Sequence, residues 1–226
     1  YVKQYEEDLQ MDAFIMLDAS STMEFGTADK LKSEYSAVVA AAIAYASIDA
    51  GIDVGLGMWG GEGDNLFLTP SGGDRQYNRF LDELSDFDNY GGTFEMEEAM
   101  NDVIGQVKEN TAIFLVSDFL EVEGEWKSKV TLANKKFRHF MTIMVRDLRD
   151  YRLPDSGNFR FESMDGEQTV VNTSRIREEF NQRAEAREEE IEEKLSETGS
   201  SFMKVDTRDN FSAEFAEFFD QDQGEW

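Results

Sequence analysis

The stretch Ile15–Met23, "IMLDASSTM", decides how this chain is read. An apolar run stops at Asp18, and three hydroxyl residues, Ser20, Ser21 and Thr22, follow within four positions. Extended backward, Met11–Leu17 ("MDAFIML") is close to continuously apolar, as expected of a strand covered on both faces of a parallel sheet. A strand that ends in a carboxylate and hydroxyls has two readings. Either Asp18 opens a turn and caps a helix, or the oxygens gather beyond the strand end to hold a divalent cation.

The rest of the chain repeats this alternation. Ala28–Asp49 places Leu31, Tyr35, Val38, Val39, Ala42, Ile43 and Ala46 at helical spacing, and Gly51 follows as a stop. Ile52–Trp59 and Asn65–Leu68 read as short strands joined through "GGEGD", a predicted hairpin. Helices are predicted at Asp74–Leu84 and, after "NYGG", at Phe94–Lys108. Ala112–Val116 ("AIFLV") is a second buried strand, and it too stops at a hydroxyl and an acid, Ser117 and Asp118.

A helix over Glu123–Lys135 and a strand over His139–Val145 come next. The irregular segment Arg146–Thr173 contains two short strands, Phe159–Ser163 and Gln168–Val171. Ser174–Glu197 is a long charged helix with the inward stripe Ile176, Phe180, Ala184, Ile191 and Leu195. A strand at Ser201–Val205 and a closing helix with Phe211, Phe215, Phe218 and Phe219 on its apolar face complete the pattern. The expected fold class is α/β, with a mostly parallel central sheet and helices on both faces, in one domain over residues 1–226. The Glu-rich run "EAREEEIEEKL" is read as the solvated face of a packed helix, because its stripe is short for a coiled coil.

Composition narrows the function. The chain has 226 residues, no cysteine and one histidine, His139, which excludes disulfides, thiolate chemistry and polyhistidine zinc sites within the chain. Acidic residues outnumber basic ones 48 to 22, a net charge of −26. Such self-repulsion weakens a compact state in dilute buffer, whereas molar salt shrinks the Debye length to roughly 3 Å and removes most of it. The acids are spread along the chain, which fits a protein of a salt-loaded, haloarchaeal cytoplasm. Binding driven by nucleic-acid phosphates is excluded at this charge. The uncharged stretch Ser36–Ile48 is shorter than the ~20 residues of a membrane span. The opening "YVKQYEEDLQ" has neither an initiator Met nor a signal-peptide pattern, so we expect a fragment lacking an N-terminal segment, in which an anchor has room.

Three oxygen-rich groups thus fall at predicted strand ends or after a glycine pair: "LDASST", "YGGTFE" with Thr93, and "VSDF". Taken singly, Thr93 reads as a helix N-cap and Asp118 as a loop-orienting acid. Taken together they form an all-oxygen donor set, which suits a hard cation, Mg²⁺ first and Mn²⁺ or Ca²⁺ next. Two carboxylates and several neutral hydroxyls leave such an ion undercharged, so it still accepts an anionic ligand from a partner.

In order and spacing, "DASST", "GGT" and "SDF" resemble the metal-ion-dependent adhesion site (MIDAS) of von Willebrand factor A-type domains, Asp-x-Ser-x-Ser, then Thr, then Asp. Asp18, Ser20 and Thr22 match the first element, Thr93 the second and Asp118 the third; Thr22 stands where a serine is usual. Ser21 is a spacer. The segments "YVKQYEED", "DKLKSEYSAVVAAAIAYAS", "GGTFEMEEAM", "AIFLVSDFLEVEGEW", "VRDLRDYRLPDSGNFRF", "VVNTSRIREEF" and "FAEFFD" are similar to the von Willebrand A-like family associated with MoxR-type AAA+ ATPases. That resemblance covers almost the whole chain and implies a Rossmann-like fold. It implies a cytoplasmic, non-enzymatic binding module that grips an Asp or Glu of a protein partner, through Mg²⁺, beside an AAA+ ATPase or its client. Asp18, Ser20, Thr22 and Thr93 would hold the ion directly or through water, with Asp118 one shell further out. Members often carry a further N-terminal segment, sometimes with transmembrane helices.

Two other classes stay open. A haloacid dehalogenase-type phosphatase also places an Asp after its first strand, but it requires Asp-x-Asp, and here the second position is Ser20. A Ser-His-Asp arrangement would depend on His139, at the entry to a buried strand, and neither a phosphate-binding loop nor a dinucleotide fingerprint occurs. A self-assembling structural protein that polymerises through the same face is the third class.

Overall fold

A computed structural model describes residues 11–155, 157–162 and 168–211. The chain runs β1 (Asp12–Asp18), α1 (Lys32–Asp49), β2 (Val54–Trp59), β3 (Leu66–Ser71), α2 (Asp74–Ser85), α3 (Met96–Gln106), β4 (Thr111–Ser117) and α4 (Trp126–Lys136). It continues through β5 (His139–Arg146), α5 (Leu148–Tyr151), β6 (Asn158–Glu162), β7 (Gln168–Asn172), α6 (Thr173–Thr198) and β8 (Ser201–Asp206), with 3₁₀ turns at Ser21–Glu24 and Phe87–Asn89. Six strands form one sheet in the order β3-β2-β1-β4-β5-β8. All neighbours in it are parallel except the β2–β3 hairpin. The expected α/β class and mostly parallel sheet are therefore observed.

β1 shows why central strands read as unbroken apolar runs. All seven of its residues are buried. Ala13, Ile15 and Leu17 join a core with Tyr35, Val39 and Ile43 of α1 and Phe80 and Leu84 of α2. Phe14 and Met16 point the other way, into a core with α3, α4 and Ile191 and Leu195 of α6. The two-residue period of a strand thus feeds two helical layers, and each face needs its own apolar set.

α1 begins four residues later than the helical spacing suggests. Thr27 sends both its backbone N–H and its hydroxyl to the Asp147 carboxylate, each at 2.8 Å. That ties Thr27 to the turn after β5 and leaves Phe25 and Leu31 to accept the Lys32 and Tyr35 N–H groups at the start of the helix. The other end of α1 closes as expected: Gly51 takes φ of 78°, its N–H reaches the Ile48 carbonyl and that of Ile52 reaches Ser47. This is a Schellman cap, which favours glycine at the left-handed position.

In the hairpin, the β2–β3 register shifts between Val54 and Leu56, and buried Gln76 of α2 donates to the Val54 and Thr69 carbonyls across that irregularity. Pro70 lies in the same stretch of the edge strand, where a residue without an N–H is tolerated. The two short strands expected in the irregular segment pair with each other as a separate antiparallel hairpin, β6–β7. The α6 stripe is half-buried at Ile176, Phe180 and Ala184 and buried at Ile191 and Leu195, so this helix packs inward as one face. Phe211 is buried in the α1-side core; the predicted closing helix with Phe215, Phe218 and Phe219 lies outside the described residues, as do "YVKQYEED" and Ser163.

Candidate metal centre

β1 and β4 are parallel neighbours in the register Leu17↔Val116, so the last residues of the two strands, Asp18 and Ser117, stand side by side. Asp18, Ser20, Ser117 and Asp118 are each at most 2% exposed. Asp18 Oδ1 accepts the Ser20 N–H at 3.0 Å and the Ser20 hydroxyl at 2.6 Å. Its Oδ2 accepts the Ser117 hydroxyl at 2.6 Å. Ser20 Oγ also lies 3.0 Å from Thr22 Oγ1. A serine has a single hydroxyl proton, and that of Ser20 goes to the carboxylate, so Thr22 is the donor to Ser20. The relay therefore runs from Thr22 to Ser20 to Asp18, met from the other side by Ser117, and it leaves lone pairs of Ser20 and Thr22 uncommitted.

The loop with Thr93 is brought to the same place by backbone. Ser20 forms an isolated parallel bridge with Gly92. Ser21 N–H donates to the Gly92 carbonyl at 2.8 Å and Gly91 N–H to the Ala19 carbonyl at 3.0 Å. Gly92 N–H in turn reaches the Gly60 carbonyl at 2.7 Å. A Cβ on Gly92 would stand 2.4 Å from the Gly61 carbonyl oxygen, so this close approach requires glycine. Thr93 itself is exposed. It is not the cap of α3, whose N-cap is Glu95, so the capping explanation of Thr93 is corrected. Its side chain lines a cleft of about 580 Å³ with Phe94, Glu95, Glu97, Glu121 and Arg187.

Asp118 is committed elsewhere. Its Oδ1 accepts Leu120 N–H at 2.9 Å, and its Oδ2 receives the Lys32 ammonium at 2.7 Å. Lys32, the first residue of α1, is fully buried and also reaches Asp150 Oδ1 at 2.9 Å. The following residue, Phe119, is buried with φ of 57°, a left-handed conformation unusual for a bulky residue. Three contacts hold it there: its N–H donates to Ser117 Oγ at 3.0 Å, its ring packs edge-on to Trp126, and Arg187 donates to the carbonyls of Phe119 and Leu120.

Burial pushes the Asp18 carboxyl up to about 7, and the Asp118 charge adds to the push; bonds from Ser117 and Ser20 pull the other way. Burial, with Asp118 and Glu123, also raises Glu121. A buried carboxylate under this strain is relieved by either a proton or a cation. Among the described residues no three carboxylate or imidazole groups converge on one point. An ion here would lean on hydroxyl oxygens and water, and the donor set of Asp18, Ser20, Thr22 and Ser117 fits a hard cation in that respect.

Asp18, Ser20 and Thr22 thus stand in one hydrogen-bonded group, Thr93 reaches its edge through Gly92, and Asp118 stands behind it on Lys32. The residue patterns gave little weight to Ser117 as a contributor, and no weight to Lys32 or Asp150. Once α1 is known to begin at Lys32, the need is plain: a basic residue in the first turn of a helix opposes the helix dipole and calls for an acid nearby.

Comparison with known structures finds the same fold at low identity. The conserved hypothetical protein BatB from Bacteroides thetaiotaomicron is 16% identical, with a TM-score of 0.60 over 94% of this chain and 98% of that one. An aerotolerance-related membrane protein from Bacteroides fragilis NCTC 9343, in a form with multiple mutations to serine, is also 16% identical, with a TM-score of 0.56 over 94% and 99%. The pilus adhesin SpaC from Lactobacillus rhamnosus GG is 11% identical, with a TM-score of 0.57 over 96% of this chain and 31% of that one. No curated protein matches the chain in sequence. The family described as "Protein of unknown function DUF58" matches residues 1–190, most of the length, and the chain belongs to that family.

Proposed function

We propose that the chain is a divalent-cation-dependent protein-binding module whose centre is the Asp18 group. The observation that carries this reading is the relay from Thr22 through Ser20 to a buried Asp18, met by Ser117 and pressed by the Asp118 charge. Asp18 would be the direct carboxylate ligand, Ser20 and Thr22 would offer their remaining lone pairs, and Thr93 would enter from the edge. A bound Mg²⁺, with Mn²⁺ or Ca²⁺ as substitutes, would offer an open position to a partner's Asp or Glu. The acids around Thr93, among them exposed Glu95 and Glu97 and half-buried Glu121, repel a bare acidic partner, so the ion and ambient salt must offset that field.

The partner we propose, on the resemblance to MoxR-associated proteins, is an AAA+ ATPase of that type or its client. SpaC, which shares the fold, is by name an adhesin. We read the chain as non-catalytic, because Ser20 occupies the place of a second carboxylate and gives its proton to Asp18. No helix among the described residues is long and apolar enough to cross a membrane. We read the domain as cytoplasmic.

The test is calorimetric titration of metal-depleted protein with Mg²⁺, Mn²⁺ and Ca²⁺, followed by capture of a cognate MoxR-type ATPase in Mg²⁺ and in EDTA. Wild type should bind the ion and capture the partner only with it, and Asp18→Ala should do neither while keeping its fold. A wild type that takes up none of the three ions at millimolar concentration overturns the reading.

A further inference from the structure

We propose that the buried Lys32 ammonium holds Asp118 out of direct contact with the cation, and so keeps one coordination position free for the partner. The inference rests on the metal-binding reading above and adds to it a positioning residue. Lysine is seldom fully buried unless paired, and at the first position of α1 it also meets the positive end of the helix dipole. Two carboxylates offset both penalties: Asp118 Oδ2 at 2.7 Å and Asp150 Oδ1 at 2.9 Å, with side chains 1% and 3% exposed. Asp150 is itself fixed, since its Oδ2 accepts the Asp147 N–H at 2.8 Å.

The two aspartates nearest the centre therefore differ in what they would give up. Asp18 is bonded by one backbone N–H and two neutral hydroxyls. Asp118 has one oxygen on a backbone N–H and the other on an ammonium closed off from water. Charge-assisted bonds are roughly twice as strong as neutral ones, and a buried ammonium left without its carboxylate has no solvent to turn to. A cation arriving at the strand ends thus finds Asp18 available and Asp118 held one water away. Without the ammonium, Asp118 can swing to the ion, add a second direct carboxylate and fill the place intended for the partner's acid.

Mn²⁺ serves as the probe, because its affinity is read by calorimetry and its water ligands by pulsed electron paramagnetic resonance. The proteins are wild type, Asp18→Ala, Lys32→Met and the double variant Lys32→Met with Asp150→Asn. The double variant removes the ammonium together with the charge of its second partner, and it carries the measurement if the single variant does not fold. Lys32→Met should bind Mn²⁺ about tenfold more tightly or better, given one positive charge removed at close range in the interior; the double variant, in which the two lost charges cancel, is read on its water count, and both Lys32 variants should show one water ligand fewer. Unchanged affinity and water count, with only a lower melting temperature, would make Lys32 a purely structural residue and overturn the inference while leaving the metal site standing. A wild type that binds no Mn²⁺ overturns both readings.

Discussion

Ser117 donates its hydroxyl proton to Asp18 at 2.6 Å, across 99 positions of sequence, and the same oxygen accepts the Phe119 N–H at 3.0 Å. One buried hydroxyl thus links the ends of two parallel strands and steadies the left-handed residue beyond them. Ser117→Ala removes both bonds and leaves a buried N–H without its acceptor. We expect a loss of about 1–3 kcal/mol in urea unfolding, with an unchanged slope. A midpoint equal to that of wild type would show that these bonds contribute nothing net.

The pH dependence of the metal-free protein follows from Asp18, whose carboxyl rises from 3.8 to about 7. The folded chain holds this proton more tightly than the unfolded chain, so ionising Asp18 costs the fold. Its stabilising share is full below about pH 4, falls as pH rises, and is gone above about 7. Wild type should therefore lose stability relative to Asp18→Asn across that window, and the difference should level off above it. Adding Mg²⁺ at pH 8 should recover stability in wild type alone. Parallel profiles for the two proteins would contradict the assignment.

Two glycine substitutions should move in opposite directions. A Cβ at Gly92 meets the Gly61 carbonyl oxygen at 2.4 Å, and the three nearest atoms all belong to backbone. Gly92→Ala should cost about 1–3 kcal/mol and blunt any melting-temperature response to Mg²⁺, since Gly92 must shift away from Gly61 and carry the Thr93 loop with it. Gly105, inside α3, has open space around its missing Cβ. Gly105→Ala should stabilise by roughly 0.5–1 kcal/mol without touching the Mg²⁺ response. Thermal melts of the pair, with and without the ion, separate crowding at the site from general sensitivity.

Salt supplies a fourth test. With a net charge of −26, the melting temperature should climb between dilute buffer and molar KCl as self-repulsion is screened. Equal melting at both salt levels would remove the halophilic reading without affecting the cation site.

Legibility in the sequence follows the range of the interactions. β1 and β4 were readable because a strand buried on both faces is apolar at every position, and the hairpin because glycines mark its turn. The start of α1 was misplaced because Thr27 answers to Asp147, a contact 120 positions away. Thr93 looked like a cap because a hydroxyl after two glycines carries that signal locally; Gly92 is there for its close approach to Gly61 and Gly91 for its φ of 101°. Ser117 was visible beside Asp118 but its bond to Asp18, 99 positions away, was not, and Lys32 was passed over for a similar reason. "DKLKSEY" offers two lysines, and only packing against Asp118, 86 positions on, selects the one that goes inside.

The ends and the borders of the sheet differ in what they offer another chain. One border strand, β3, carries Pro70 within its irregular stretch, so its hydrogen-bonding ladder is interrupted. The other, β8, carries Lys204, clasped by Glu188 and Glu192 of α6. Both are devices that discourage a foreign strand from annealing alongside. Fibre growth by lateral strand addition is thereby disfavoured at both borders, so an association of two copies would have to use a helical face or a loop-bearing rim instead.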